Sequence, residues 1–292
     1  MSLPRVITVI GDIARDVNVH VDVPVPLGLV PAGDTPARIR MGLGGSATAT
    51  AAWLAHVGHA VRLVGARGDD RAGTASLEEL RHLRVEPQLD VIPGTPTGTV
   101  IVIVDPLGER TMLPDAGANA ALSAAWCLSA LTGEHLHVSA YPWFRHDSRR
   151  TIEAAIEGAH DQGMSVSIDL NSYSLVREHL DPLLALLARV DIVFANDEEW
   201  RALNERWAMP RECIVVVKMG AEGARWSAGG DTGTASAIPV RMVDSTGTGD
   251  AFAAGFLHAW VDGASVADSA VAGNQLAAVC ATRVGPAPEF PD

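Results

Sequence analysis

The chain has 292 residues, a formal net charge of −13, 48% hydrophobic residues and 20% charged ones. That apolar content excludes a disordered chain, and the acidic balance argues against nucleic acid as a partner, since its phosphates are held by Lys and Arg. No run approaches the roughly 20 apolar residues of a membrane span, the start MSLPRVITVIGD lacks a basic, cleavable leader, and Cys127, Cys213 and Cys280 are scattered, so a cytoplasmic protein with free thiols is expected.

Arg5–Gly11 reads as a buried first strand ending at a glycine. Val17–Val25 and Ala37–Met41 alternate apolar and polar residues, the pattern of half-exposed antiparallel strands. An Ala-rich helix over Ser46–Val57 precedes a strand at Val61–Gly65. Thr99–Met112 reads as a strand pair around a Pro-Leu-Gly turn. Strands at Leu136–Ser139, Met164–Asp169, Asp191–Ala195 and Ile214–Lys218 then alternate with helices over Ser148–Gln162, Asp181–Arg189 and Asn196–Trp207. Helices over Thr248–Val261 and Ser265–Thr282 complete the set. Strand–helix alternation predicts an α/β fold with a mostly parallel sheet covered on both faces. The alternating segments, at about 13–41 and 95–114, predict a small β-sheet lid inserted into one domain spanning 1–292.

The strongest local feature is Asp244-Ser-Thr-Gly-Thr-Gly-Asp250, a polar glycine turn that opens an apolar helix. Helix N-termini expose unpaired N–H groups and bind anions. Gly247, Thr248 and Gly249 would form such an anion hole, with Asp250 beside it as a proton acceptor for a hydroxyl. By itself the segment reads equally well as a helix cap with an acidic first turn. Gly42-Leu-Gly-Gly-Ser-Ala47 fits the dinucleotide pattern G-x-G-x-x-A, yet the positions about twenty residues on are Arg62, Gly65 and Arg67 rather than acidic. A turn that brings ligand hydroxyls against backbone is the better reading, and a nicotinamide-dependent oxidoreductase the weaker one. The only lysine, Lys218, lies between Val217 and Met219, which excludes a Gly-Lys-Ser/Thr phosphate loop. His135 and His137 share one strand face without a third ligand and read as core residues; His56 and His59 read as capping or exposed.

Five motifs occur in order: Gly44-Gly45-Ser46-Ala47, G-D-D-R-x-G at Gly68–Gly73, N-x-x-E at Asn196–Glu199, K-x-G-x-x-G at Lys218–Gly223, and D-S-T-G-T-G-D-A-F at 244–252. Together they resemble the ribokinase-like, or PfkB, family of carbohydrate and nucleoside kinases, from Gly11 to about Gly285. The resemblance implies a three-layer core with a small lid and an ATP- and Mg²⁺-dependent phosphoryl transfer to a hydroxyl of a sugar or nucleoside. It makes Asp250 the catalytic base and Gly247, Thr248 and Gly249 the anion hole. Glu199, through water, and Asn196 organise Mg²⁺ near the triphosphate. Lys218, Gly220, Gly223 and Asn274 belong to the nucleotide side. Asp244 and Thr246 match a region that binds a monovalent cation such as K⁺ in some members. Asp16 matches the family's hydroxyl-binding aspartate in G-x-x-x-x-D, with Asp12, Gly44, Gly45, Ser46 and Tyr141 on the substrate side. Ala14, Ser46 and Ala49 depart from the ribokinase pattern and speak against ribose. Asp169 and Asn171 match the D-x-N of sugar-acid kinases, where Tyr173 replaces the usual Arg. The exposed edges of a lid point to a homodimer through it. A non-catalytic ligand-binding protein on the same fold is the alternative from another class.

Overall fold

The computed structural model describes residues 5–25, 33–107 and 110–289. Residues 26–32 of the first lid segment, Gly108 of the expected turn and the chain ends lie outside them. The first half forms β1 (Val6–Ile10), β2 (Ala14–Val21), β3 (Ala37–Gly44), α1 (Ser46–His56), β4 (Ala60–Gly68), α2 (Arg71–His82), β5 (Glu86–Ile92), β6 (Gly98–Val104) and β7 (Arg110–Asp115). There follow α3 (Ala124–Ala130), β8 (His135–Ser139), α4 (His146–Asp161), β9 (Ser165–Asp169), α5 (Tyr173–Glu178), α6 (Leu180–Leu187) and β10 (Ile192–Asn196). The chain closes with α7 (Asp197–Asn204), β11 (Ile214–Lys218), β12 (Ala224–Ala228), β13 (Asp231–Ala235), α8 (Thr248–Val261) and α9 (Val266–Ala281). Among the described residues no helix is long and apolar enough to cross a membrane.

A nine-stranded sheet runs β13-β12-β11-β10-β9-β8-β1-β4-β5, parallel from β11 to β5, with β12 and β13 antiparallel at one edge. Successive strand residues point to opposite faces, so each strand feeds two cores. Leu136, Val138, Val193 and Val215 pack under α3 to α7. Ile7, Val9, Leu63, Phe194 and Val216 pack under α1, α2, α8 and α9. This is the three-layer arrangement expected from the continuous apolar strands. His135 and His137 are fully buried and bonded to Ser165 and Ser167 through their ring nitrogens, the core role expected of them.

The strand order turns at β1, whose neighbours β4 and β8 carry the chain in opposite directions. Connections diverge there and leave a crevice at the strands' carboxyl ends, the usual ligand position of open α/β sheets. Ser139, ending β8, donates to Asp12, just past β1, at 2.8 Å across this crevice. Helices α1 and α8 are rich in alanine and buried along most of their length, and they pack on each other. Their N-termini thereby meet at the same crevice.

The lid segments form a separate four-stranded sheet, β3-β2-β6-β7. The expectation of purely antiparallel strands needs correction: β2–β3 and β6–β7 are antiparallel, but the central β2–β6 pair is parallel. Period-two alternation reports half-burial, not the direction of a neighbour supplied by a distant segment. One face presents Asp16, Val100, Val102, Met112 and Pro114 to the cavity. The other presents Val17, Ile39, Met41, Ile101 and Leu113, with Met41 69% and Ile39 62% exposed.

Candidate active site

A cavity of about 1170 Å³ lies between the small sheet and the carboxyl ends of the large one. Every residue given a catalytic, substrate, nucleotide or cation role from sequence lines it except Gly44 and Asp244. Gly44 stands directly behind Asp16, where a Cβ would come within 2.0 Å of its carboxylate. Gly45 adopts φ +101° and lets the backbone pass the Asp12 carbonyl. Asp244 braces the loop into α8: it accepts from the Thr246 amide and hydroxyl at 2.8 and 2.7 Å and from the Gly285 amide at 3.0 Å.

Asp250 sits in the first turn of α8, behind Gly247 in the left-handed region. The first amides of a helix have no partner within it, so those of Thr248, Gly249 and Asp250 belong to its anion-binding end. Burial pushes the Asp250 carboxyl up to about 8, helped by the charge of Asp169 and opposed by Ser46 and Lys218. Ser46 Oγ donates to Asp250 Oδ1 at 2.5 Å and accepts from Asn171 Nδ2 at 2.8 Å. Asn171 Oδ1 in turn accepts from Ser139, and Asp12 accepts from Ser139 and from the Ser46 amide. One hydrogen-bonded chain therefore links the α8 carboxylate to the end of β1. Asn171 reaches it from a left-handed conformation, φ +62°, that asparagine tolerates. Tyr141 closes this wall, donating from its hydroxyl to the Asn171 carbonyl at 3.1 Å.

Beside Gly249 at the start of α8, Lys218 and Asp169 form an ion pair of 2.5 Å, with side chains 15% and 1% exposed. Burial alone would lower the lysine's pKa, but the carboxylates of Asp169 and Glu199 outweigh it and hold it raised. Asn196 caps α7 in a reciprocal box with Glu199: each side chain accepts from the other's amide at 2.8 Å. Glu199 is pushed up to about 7, chiefly by burial. Glu199 Oε1 and Asp169 Oδ1 are buried without a hydrogen-bond partner. Two unpartnered buried carboxylate oxygens suit a hard divalent cation such as Mg²⁺. Asn274 donates its amide to the Ala235 and Ser236 carbonyls, holding the exit of β13 against the cavity.

Asp16 is pushed up to about 6 by burial and by Asp12, against the pull of Arg15. Arg110, from β7, crosses to the core and donates to Ser245 Oγ at 2.5 Å and Thr246 Oγ1 at 2.7 Å. Sequence reasoning missed Arg110 as a site residue, as it did the pairing of Asp169 with Lys218. Two signals were available: Arg110 is an inward position of an alternating strand, and Asp169 ends a buried strand in a chain with one lysine.

The description pfkB family carbohydrate kinase matches residues 5–292. An ATP-dependent ribose-1-phosphate kinase of Halopiger xanaduensis is 29% identical, over 92% of this chain and 91% of that protein. A fructokinase of Klebsiella pneumoniae is 30% identical over 78% of this chain and 80% of that protein. Among solved structures, the adenosine kinase of Sinorhizobium meliloti superposes with a TM-score of 0.85 at 25% identity, covering 99% of this chain and 97% of that one. A putative ribokinase II of E. coli in complex with ATP and Mg²⁺ shares the fold, with a TM-score of 0.80 at 23% identity over 97% and 94% of the two chains.

Proposed function

From the premise that this chain belongs to the pfkB family of carbohydrate kinases, we propose that it transfers the γ-phosphoryl group of ATP to a hydroxyl of a sugar or sugar derivative. The observation that carries this reading is Asp250, a half-buried carboxylate in the first turn of α8 that lines the cavity. In its ionised form Asp250 accepts the hydroxyl proton as that oxygen attacks the γ-phosphorus; the new O–P bond forms, the bond to the bridging oxygen breaks, and ADP leaves. The amides of α8 and the Lys218 ammonium take up the negative charge of the transferring group. Mg²⁺ would be held on the Glu199 and Asp169 side, through water, and supplies charge neutralisation to the triphosphate. Lys218, Gly220, Gly223 and Asn274 form the nucleotide wall. K⁺, implied for Asp244 and Thr246, enters no step here.

Asp16 and Asp12 on the opposite wall suit sugar hydroxyls. The curated relatives act on ribose 1-phosphate and fructose by name. Arg145, Ser172 and Ser174 also line the cavity, a guanidinium and two hydroxyls that accept an anionic substituent, so sugar phosphates belong among the substrates tested. In the same reading the small sheet closes over the sugar, and a second copy of the chain covers its apolar outer face; Met41→Glu should then yield a monomer in light scattering. The decisive test of the activity is ADP release from ATP across pentoses, hexoses, their phosphates and nucleosides. Substrate-dependent turnover supports the kinase, and none with any of them leaves a ligand-binding protein.

A further inference from the structure

Outside the cavity, one cluster combines metal-ligating side chains from separate segments. His59 immediately precedes β4, His258 lies in the last turns of α8, and Asp262 caps that helix. One donor atom from each lies within 4.8 Å of the other two. His59 Nε2 and His258 Nδ1 are 3.0 Å apart, with the rings edge to face, 76° between planes. Both histidines are half-buried and Asp262 is exposed, so the cluster opens to solvent on one side. His59, expected from sequence to be capping or exposed, is instead held on its partner.

We propose that His59, His258 and Asp262 form a binding site for a late first-row divalent cation, with Zn²⁺ as the probe, at the end of α8 remote from Asp250. Two imidazoles and a carboxylate are the donor set of Zn²⁺, Co²⁺ and Ni²⁺ sites, with the open side left for water. At metal–nitrogen bonds of about 2.0–2.1 Å, two ligands on one ion stand ~3.0–3.4 Å apart, from right-angled to tetrahedral geometry. The observed separation already falls in that range, so the ion would replace the shared proton once the rings turn to bring both lone pairs onto it. Burial, then the neighbouring His258, lowers the His59 pKa, which keeps its lone pair available near neutrality. The C-terminal end of α8 carries the negative pole of the helix and favours a cation. Arg5, beside the helix end, is occupied by the Val261 carbonyl and by Glu134 at 3.3 Å. The donor set differs from the all-oxygen pair on Glu199 and Asp169, so this site does not compete for Mg²⁺.

The experiment is calorimetric titration of the metal-free protein with Zn²⁺, beside His59→Gln, Asp262→Asn and the control His82→Gln on the exposed side of α2. One ion per chain should bind, at least about tenfold more weakly in the two site variants and unchanged in the control. Zn²⁺ should raise the melting temperature of wild type but not of His59→Gln, and Co²⁺ should give visible d–d bands that both site variants lose. Melting in EDTA establishes that the variants are folded, and exposed Asp262→Asn keeps the test open if His59→Gln is not. No binding, or binding indifferent to both substitutions, leaves a hydrogen-bonded imidazole pair and overturns the proposal.

Discussion

The two walls of the cavity are built on different principles. The wall of Asp250, Lys218, Asp169 and Glu199 comes entirely from strand ends and helix starts of the large sheet. Its carboxylates are crowded, Glu199 and Asp169 each leave a buried oxygen without a partner, and Asp250 and Glu199 resist ionisation. The facing wall joins Asp12 from the core to Asp16 from the small sheet, and Asp12 accepts hydrogen bonds from Ser139 and from the Ser46 amide. Crowded charge on a rigid scaffold suits a step in which charge must be taken up and passed on. A group fixed on the core and another carried on a separate sheet suit holding a ligand between them.

The contrast makes its largest prediction at Asp250. Asp250→Asn keeps size and helix compatibility but removes the base, so kcat should fall by about 10²–10⁴-fold with ATP affinity retained. A folded variant that turns over within a few-fold of wild type would remove Asp250 from catalysis.

On the facing wall, Asp16→Ala should raise the sugar KM by about 10–150-fold, the loss of a charge-assisted bond of ~1.5–3 kcal/mol, and leave ATP affinity alone. Gly44→Ala should imitate it without touching a charge, because the new methyl group occupies the carboxylate's space. An ATP KM that moves as much as the sugar KM in either variant would erase the division between walls.

The raised pKa of Asp250 gives the next effect. In the proposed mechanism the ionised form is the base, so kcat/KM should climb about tenfold per pH unit below its pKa of about 8 and level off above it, and the slope should vanish in Asp250→Asn.

The smallest effect is on stability without ligands. Asp250, Glu199 and Asp16 hold protons in the folded protein that the unfolded chain releases near pH 4. Their contribution is complete below that pH, is lost progressively as pH rises through the folded values of about 6 to 8 and then levels off, so the melting temperature should fall by a few degrees between about pH 4 and 8. A flat profile there, or one unaltered by Asp250→Asn, would show that these carboxyls carry no electrostatic strain.

Much of this was readable in the chain. The buried strands announced themselves by apolar runs bounded by turns, and the glycine turn before α8 by its chemistry. β5 was missed because Glu86-Pro-Gln-Leu-Asp is polar and broken by proline, tolerable only because β5 is an edge strand. The β12–β13 hairpin was overlooked although Gly229-Gly230 is a two-residue hairpin turn, with φ of +63° and +99°. α2 was noticed only as the G-D-D-R-x-G motif at its start. Asn171 reaches Ser46 across 125 positions and Arg110 reaches Thr246 across 136, and no local pattern encodes such contacts.

Lys218 has a practical consequence. It is the only lysine of 292 residues, and its side chain lies in the cavity, bonded to Asp169 and close to Gly249. Protein grown with isotope-labelled lysine would carry a single side-chain ammonium signal, located where the transferring phosphate is expected. That one resonance would report nucleotide arrival, substrate arrival and their order without any label being engineered into the fold.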